Sequence, residues 1–320
     1  MVQAFDFVVF IDDLKGSAAT LATTFGFIEQ PQEHGIRRFT AGNATWLIHS
    51  ARNAAERILL QKRGPSPYMI GLQTNDKAIP HPYSLLGLPA SKSPHTYDID
   101  EHLIFIKTAP DWQPTSNQDD LSYQGIDHFA IACPKASVSN YVNSLIETYK
   151  LHITYALDVE DGHSGMQSVA LANDNGNIRL PVIGPDGESS QVQTFLNQAK
   201  GPGIQHIGLA TDNIIDTVKK LKQRGVSFLS IKPDYYDSES FQTMPLSDTD
   251  KQACRELNIL ADKTEEDHYL LQIFTEPCLG GMMIEIIERH NHETFGARNI
   301  KSLFDTVADY QKRQMDLQKS

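Results

Sequence analysis

The chain has 320 residues, 40% hydrophobic and 21% charged, with 28 basic against 40 acidic side chains and a net charge of −12. That length predicts two compact units, and the acidity, without any Lys/Arg cluster, excludes a nucleic-acid surface. The best apolar runs, Phe5–Ile11 and Met282–Ile287, are too short and too interrupted by acids to cross a membrane. The start MVQAFDFVVFIDD lacks a signal peptide's basic opening, and the scattered Cys133, Cys254 and Cys278 suit no disulfide framework. A soluble, cytoplasmic protein is the expectation.

In chain order, strands are predicted around Phe5–Val8, after Gly64 up to Thr74, and at Leu103–Ile106. The polar, aperiodic stretch from Asp111 to Gln124 then reads as a linker. Beyond it the stretch G-I-D-H-F-A-I-A at 125–132 alternates apolar residues with a period of two, as a strand does. A helix-like stretch follows at Val138–Tyr149, then strands at Ser168–Ala172 and Ile178–Val182. The same series restarts with G-I-Q-H-I-G-L-A at 203–210, a helix at Ile214–Arg224, and strands at Tyr269–Phe274 and Met282–Ile287. The unit is therefore repeated.

A weaker copy of the pattern occupies the first third. Aligning the strands puts Phe7, Met69 and Phe105 where the later half has His128, His206 and Glu285. Only one half thus places two imidazoles and a carboxylate inside apolar strands. A lone strand histidine is usually half-exposed or satisfied by a neighbour. A carboxylate within Met-Met-Ile-Glu-Ile-Ile demands a partner, because an unpaired buried charge is costly. A metal ion shared with both histidines would be one: two histidines and a carboxylate form the facial triad of non-haem Fe(II) oxygenases. His128 and His206 lie 78 residues apart, so the three must meet through the fold rather than on one helix. His290 and His292 form an H-x-H expected in a loop. No dinucleotide, P-loop or nucleophile-elbow motif is present.

Four spaced motifs carry a resemblance: Gly201-Pro-Gly-Ile-Gln-His206, Leu270-Leu-Gln-Ile-Phe274-Thr, Ile284-Glu-Ile-Ile-Glu-Arg289-His, and the tail from Phe295-Gly-Ala to Leu303-Phe304. Together they resemble the family of 4-hydroxyphenylpyruvate dioxygenase and 4-hydroxymandelate synthase, closely over about 125–312 and loosely before it. The resemblance implies an α+β, vicinal-oxygen-chelate fold in which paired βαβββ modules form two open, barrel-like domains. Residues 1–112 would be a degenerate, metal-free domain, 113–124 a linker, and 125–320 the iron-binding catalytic domain with a C-terminal lid helix.

The same resemblance implies Fe(II) as cofactor, held by His128, His206 and Glu285, with a 2-oxo acid and O2 as the partners in a homo-oligomer. Family substrate positions fall on Ser168, Gln191, Gln205, Gln272, Phe274, Phe295 and Asn299. Three positions depart from the homogentisate-forming pattern: Ile300 and Met283 stand in place of phenylalanines and Ile183 in place of an asparagine. Isoleucine at 183 and 300 resembles the mandelate synthases, so benzylic hydroxylation of an arylpyruvate is the expectation, with homogentisate formation as its competitor. A protein that only binds a small molecule is a further alternative. The tail Asn299–Lys312 resembles the family's lid; the alternative is a plain amphipathic helix packed on the domain, with Ile300, Leu303, Phe304, Val307 and Tyr310 inward.

Overall fold

The computed structural model describes residues 2–75, 96–100, 103–108, 121–161, 164–187, 190–296, 299–300, 302–303, 306–307 and 310. Residues 113–120 of the expected linker, and Phe304 with the end of the expected tail helix, lie outside the described residues. The first sheet is built from β1 (Val2–Asp12), β2 (Ile28–Glu33), β3 (Ile36–Ala41), β4 (Ala44–Ser50), β5 (Ser66–Thr74), β6 (Thr96–Asp100) and β7 (Leu103–Thr108). Two helices, α1 (Ser17–Thr24) and α2 (Ala54–Arg63), interrupt it. The second sheet comprises β8 (Tyr123–Ala132), β9 (His152–Asp161), β10 (Ser164–Ala172), β11 (Arg179–Asp186), β12 (Gly203–Thr211), β13 (Leu260–Glu265), β14 (His268–Phe274) and β15 (Met283–His290). Its helices are α3 (Val138–Tyr149), α4 (Gln191–Ala199), α5 (Ile214–Gln223), α6 (Glu239–Gln242) and α7 (Asp248–Leu257).

Strand order is β2-β3-β4-β1-β5-β7-β6 in one sheet and β13-β14-β15-β12-β8-β11-β10-β9 in the other. Both have the same centre. β1 runs antiparallel to β5 as β8 does to β12, and each of these four strands has a parallel neighbour on its other side. Parallel partners need a crossover, which α1, α3 and α5 help supply. Their sequences suit it: α3 buries Val138, Tyr141, Val142, Leu145 and Tyr149, one stripe at helical spacing. In α5 the Asn213 side chain caps the N-terminus by accepting the Asp216 N–H.

Strand register fixes the correspondence between the halves and corrects one expectation. Phe7 faces Gly71 as His128 faces Gly208, and Gly71 pairs with Ile106 as Gly208 pairs with Glu285. Met69 and His206 also match, opposite Val9 and Ala130. The counterpart of Glu285 is therefore Ile106, not Phe105. Successive strand residues alternate faces, so a shift of one moves a side chain across the sheet. Phe105 is turned the other way, with its ring 5.7 Å from that of Tyr149. Phe7, Met69 and Ile106 instead share one apolar cluster with Val9, Ile11 and Leu47.

Bulges recur at matching positions. In β8 the ladder skips Asp127, and in β12 it skips Gln205. In β1 it skips Asp6, and in β5 it skips Tyr68. Such an extra residue breaks strict alternation and re-aims its side chain. Asp6 is left 5% exposed with an Oδ2 that has no hydrogen-bond partner among the described residues.

Burial pushes the Asp6 carboxyl up to about 7. Between its ordinary range and that value the folded state holds a proton that the unfolded state releases, so stability falls as pH rises through this window. Asp6→Asn removes the effect. Thermal unfolding should show little difference between variant and parent near pH 4 and a more stable variant at pH 8, by at most about 4 kcal/mol. Equal stability at both pH values would show that the Asp6 charge is solvated.

Candidate metal centre and cavity

His128 and His206 sit on the two central strands of the second sheet, and Glu285 on the strand parallel to β12. Their donor atoms converge. His128 Nε2 lies 3.0 Å from Glu285 Oε2, His206 Nε2 lies 3.5 Å from the same oxygen, and the two Nε2 atoms are 3.0 Å apart. With metal–donor bonds of about 2.1 Å, donors at right angles around an ion are separated by about 3.0 Å. The three side chains therefore already stand at the spacing of neighbouring ligands. The His128 and Glu285 side chains are buried, at 1% and 2% exposed, and His206 is 14% exposed.

Each imidazole is aimed by the bulge residue preceding it. His128 Nδ1–H donates to Asp127 Oδ1 at 2.7 Å, and His206 Nδ1–H donates to Gln205 Oε1. Both bonds leave the Nε2 lone pairs free for the centre, the arrangement that orients metal-bound histidines. Gly208 completes the geometry, since a Cβ there would overlap the His128 ring. Burial and the neighbouring His128 hold the His206 imidazole well below its usual pKa, so it is neutral and a ready donor. Burial works the same way on His128, but Glu285 and Asp127 outweigh it and raise its pKa. Burial opposes the charge on Asp127, yet Arg289 and His128 hold that carboxyl well below its usual range. Two imidazoles and a carboxylate gathered in a dry site fit a divalent cation, which would bond all three at once.

Of the residues singled out by resemblance, Ser168, Ile183, Gln191, Gln205, Gln272, Phe274, Phe295 and Ile300 line one cavity with His128, His206 and Glu285. Phe274 and Phe295 stand edge-on to His206 and His128, with ring centroids 5.4 and 5.1 Å away. Met283 and Asn299 do not line it. Met283 packs with Leu229, Phe274 and Val307, and Asn299 Oδ1 accepts the Tyr235 hydroxyl at 2.8 Å. Gln205 is committed to His206 as well as lining the wall. The tail residues Ile300 and Leu303 reach the cavity, while Val307 and Tyr310 pack beside Phe274. His290 stacks on Tyr269 at 4.2 Å and His292 is buried, and neither belongs to the three-residue group.

Sequence reasoning passed over Tyr155, Met166, Pro181 and Val192 in the cavity wall. It also passed over Asp127 and Arg289 behind the centre. Asp127 had a visible signal, since it and Gln205 hold the same place, just before the histidine, in the two repeats. Arg289 had only its even spacing from Glu285 along one strand face.

Residues 127–240 match the Glyoxalase/Bleomycin resistance protein/Dioxygenase superfamily. A 4-hydroxyphenylpyruvate dioxygenase of Yarrowia lipolytica is 39% identical over 181 residues, which are 53% of this chain and 46% of that protein. The chain spans about half the length of the curated dioxygenases it matches first. An uncharacterized protein of Synechocystis sp. aligns along nearly the whole length, 27% identical over 97% of this chain and 98% of its own. Among solved structures, a triply substituted 4-hydroxymandelate synthase from Streptomyces coelicolor superposes with a TM-score of 0.78, covering 97% of this chain and 99% of that one at 22% identity. No helix among the described residues is long and apolar enough to cross a membrane. The chain thus has the vicinal-oxygen-chelate fold and resembles the 4-hydroxyphenylpyruvate dioxygenase and 4-hydroxymandelate synthase family.

Proposed function

We propose that this protein is an Fe(II)-dependent oxygenase that oxidatively decarboxylates an arylpyruvate and hydroxylates the benzylic carbon of the remaining arylacetate. The observation that supports it most is the convergence of His128 Nε2, His206 Nε2 and Glu285 Oε2, within 4.8 Å of one another, at the wall of a largely apolar cavity. Iron held there supplies the redox chemistry that couples O2 reduction to loss of CO2 from the 2-oxo acid. In this reading residues 1–112 form a metal-free domain and 125–320 the catalytic one.

The chain's own residues bind, orient and exclude water. Gln191 Oε1 is buried in the cavity wall with no hydrogen-bond partner among the described residues, placed to accept from a phenol or an ordered water. Ser168 and Gln272 add polar groups to the same wall, and Phe274, Phe295 and Leu303 keep the cavity dry. Ile183 and Ile300 both face it. Where the homogentisate-forming relatives carry a flat ring at position 300, a branched side chain alters how the arylacetate turns. That favours approach of the benzylic carbon to the oxidant over approach of the ring.

The metal assignment is tested by anaerobic titration of the metal-free protein with Fe(II) or Co(II). One ion per chain is expected, lost in His206→Ala and bound about 10- to 100-fold more weakly in Gly208→Ala, where the His128 ring is displaced. Binding that survives His206→Ala would sink the assignment.

The product is tested by adding 4-hydroxyphenylpyruvate and O2 to the iron-loaded protein and separating the products chromatographically, since homogentisate and 4-hydroxymandelate are isomers. A mandelate is expected, with Ile300→Phe moving product toward homogentisate. Homogentisate from the parent protein would overturn the benzylic assignment while keeping the oxygenase. No O2 uptake with any arylpyruvate, in protein that binds iron, would favour a binding protein instead.

A further inference from the structure

Arg289 connects two things that the cavity itself keeps apart. On one side Nε and Nη2 donate to Oδ2 and Oδ1 of Asp127 at 2.7 and 2.8 Å, a two-pronged pair whose Oδ1 also accepts the His128 Nδ1–H at 2.7 Å. On the other side Nη1 donates to the carbonyls of His292 and Thr294 at 3.1 and 2.6 Å. The guanidinium carbon lies 5.6 Å from the centre of the Phe295 ring, and that ring in turn stands against His128. The segment continues into the tail, where the Ile300 N–H donates to the Gly296 carbonyl at 3.1 Å and Ile300 lines the cavity.

Arg289 touches neither the donor atoms nor the cavity, so it acts only through these partners. Its fork is planar and rigid, and it holds the Asp127 carboxylate and the backbone of the turn in one geometry. Arg179 is no substitute, because its Nη1 stands 3.6 Å from Asp127 Oδ2, beyond hydrogen-bonding distance.

We propose that Arg289 is a positioning residue that couples the orientation of His128 to the packing of the turn at His292, Thr294 and Phe295, so that metal binding and the order of that turn reinforce each other. This rests on the metal assignment above. Coupling of this kind is reciprocal: a metal that favours the held geometry of His128 must favour the ordered turn by the same factor.

The test uses the whole chain and Co(II), read by affinity, by the visible spectrum of the bound ion, and by hydrogen exchange at His292, Thr294, Phe295 and Ile300. In the parent protein Co(II) should slow exchange at these amides. Arg289→Lys keeps the charge but loses the fork, and should bind Co(II) at least tenfold more weakly, with an altered spectrum and no metal-dependent protection. Asp127→Asn, which keeps shape and removes the ion pair, should show the same loss and decides the matter if Arg289→Lys does not fold. A residue with a merely structural role would lower the melting temperature without changing the spectrum or the metal-dependent protection. Parent-like affinity, spectrum and protection in either folded variant overturns the proposal. Failure of the parent protein to bind Co(II) at all overturns the metal assignment and this inference with it.

Discussion

A regular strand offers only every second side chain to one face of its sheet, and the candidate centre uses adjacent residues on each of two strands. His128 needs Asp127, and His206 needs Gln205, on the same side at hydrogen-bonding distance. The two bulges meet that demand at the cost of a broken ladder. The rest of the site depends on this. The bulges turn Nδ1 of each ring toward its own neighbour and Nε2 toward the other ring, and Gly208 makes room between the strands for His128. Glu285 then needs only the parallel pairing of β12 with β15 to arrive beside them.

The first sheet shows what remains of such a scaffold when the polar residues are gone. Its bulges persist at Asp6 and Tyr68, and Gly71 faces Phe7 as Gly208 faces His128. Where the imidazoles and the carboxylate would be, Phe7, Met69 and Ile106 fill the space. Filling that space with apolar side chains is favourable, whereas an unpaired buried carboxylate there would not be. The one polar remnant is Asp6. Its counterpart Asp127 is paired with Arg289. Burial pushes the Asp6 carboxyl up to about 7. Tyr68 has found other employment, as its hydroxyl lies 2.7 Å from His49 Nε2.

Much of this was legible in the residues themselves. Period-two alternation located the strands that carry the site, and the repeat G-I-x-H located both histidines. The helices at 138–149 and 214–223 followed from their apolar stripes. Legibility failed where the answer lay in pairing rather than in local pattern. Phe105 and Ile106 are both apolar, and only the ladder shows which of them faces the first sheet's cluster. Bulges leave no fixed mark in composition, so the repeat could show that Asp127 and Gln205 hold the same place before each histidine but not that each is turned onto its ring. Arg289 is 162 residues from Asp127, and nothing in either neighbourhood announces the contact. Resemblance supplied most of the cavity wall, but it could not tell that Asn299 turns to Tyr235 and that Met283 packs behind Phe274.

Counting buried charge shows why these pieces belong together. The Asp127 and Arg289 side chains are 5% and 11% exposed and cancel each other, so the pair orients His128 without adding net charge to the centre. Arg179, more exposed, lies 3.6 Å from Asp127. With a metal bound through both imidazoles in their neutral form, Glu285 would be the one charge facing the cavity directly among the residues that line it. A divalent ion bound by Glu285 leaves one positive charge in a dry site. An anion entering the cavity neutralises it at short range and low dielectric, where the attraction is strongest. A neutral ligand of the same shape gains no such term. A 2-oxo carboxylate would carry that single charge beside a ketone oxygen, so under the proposed function the electrostatic balance of the centre and the apolar wall around Ile183 and Ile300 would suit the same kind of molecule: one anionic end and one aromatic or aliphatic end.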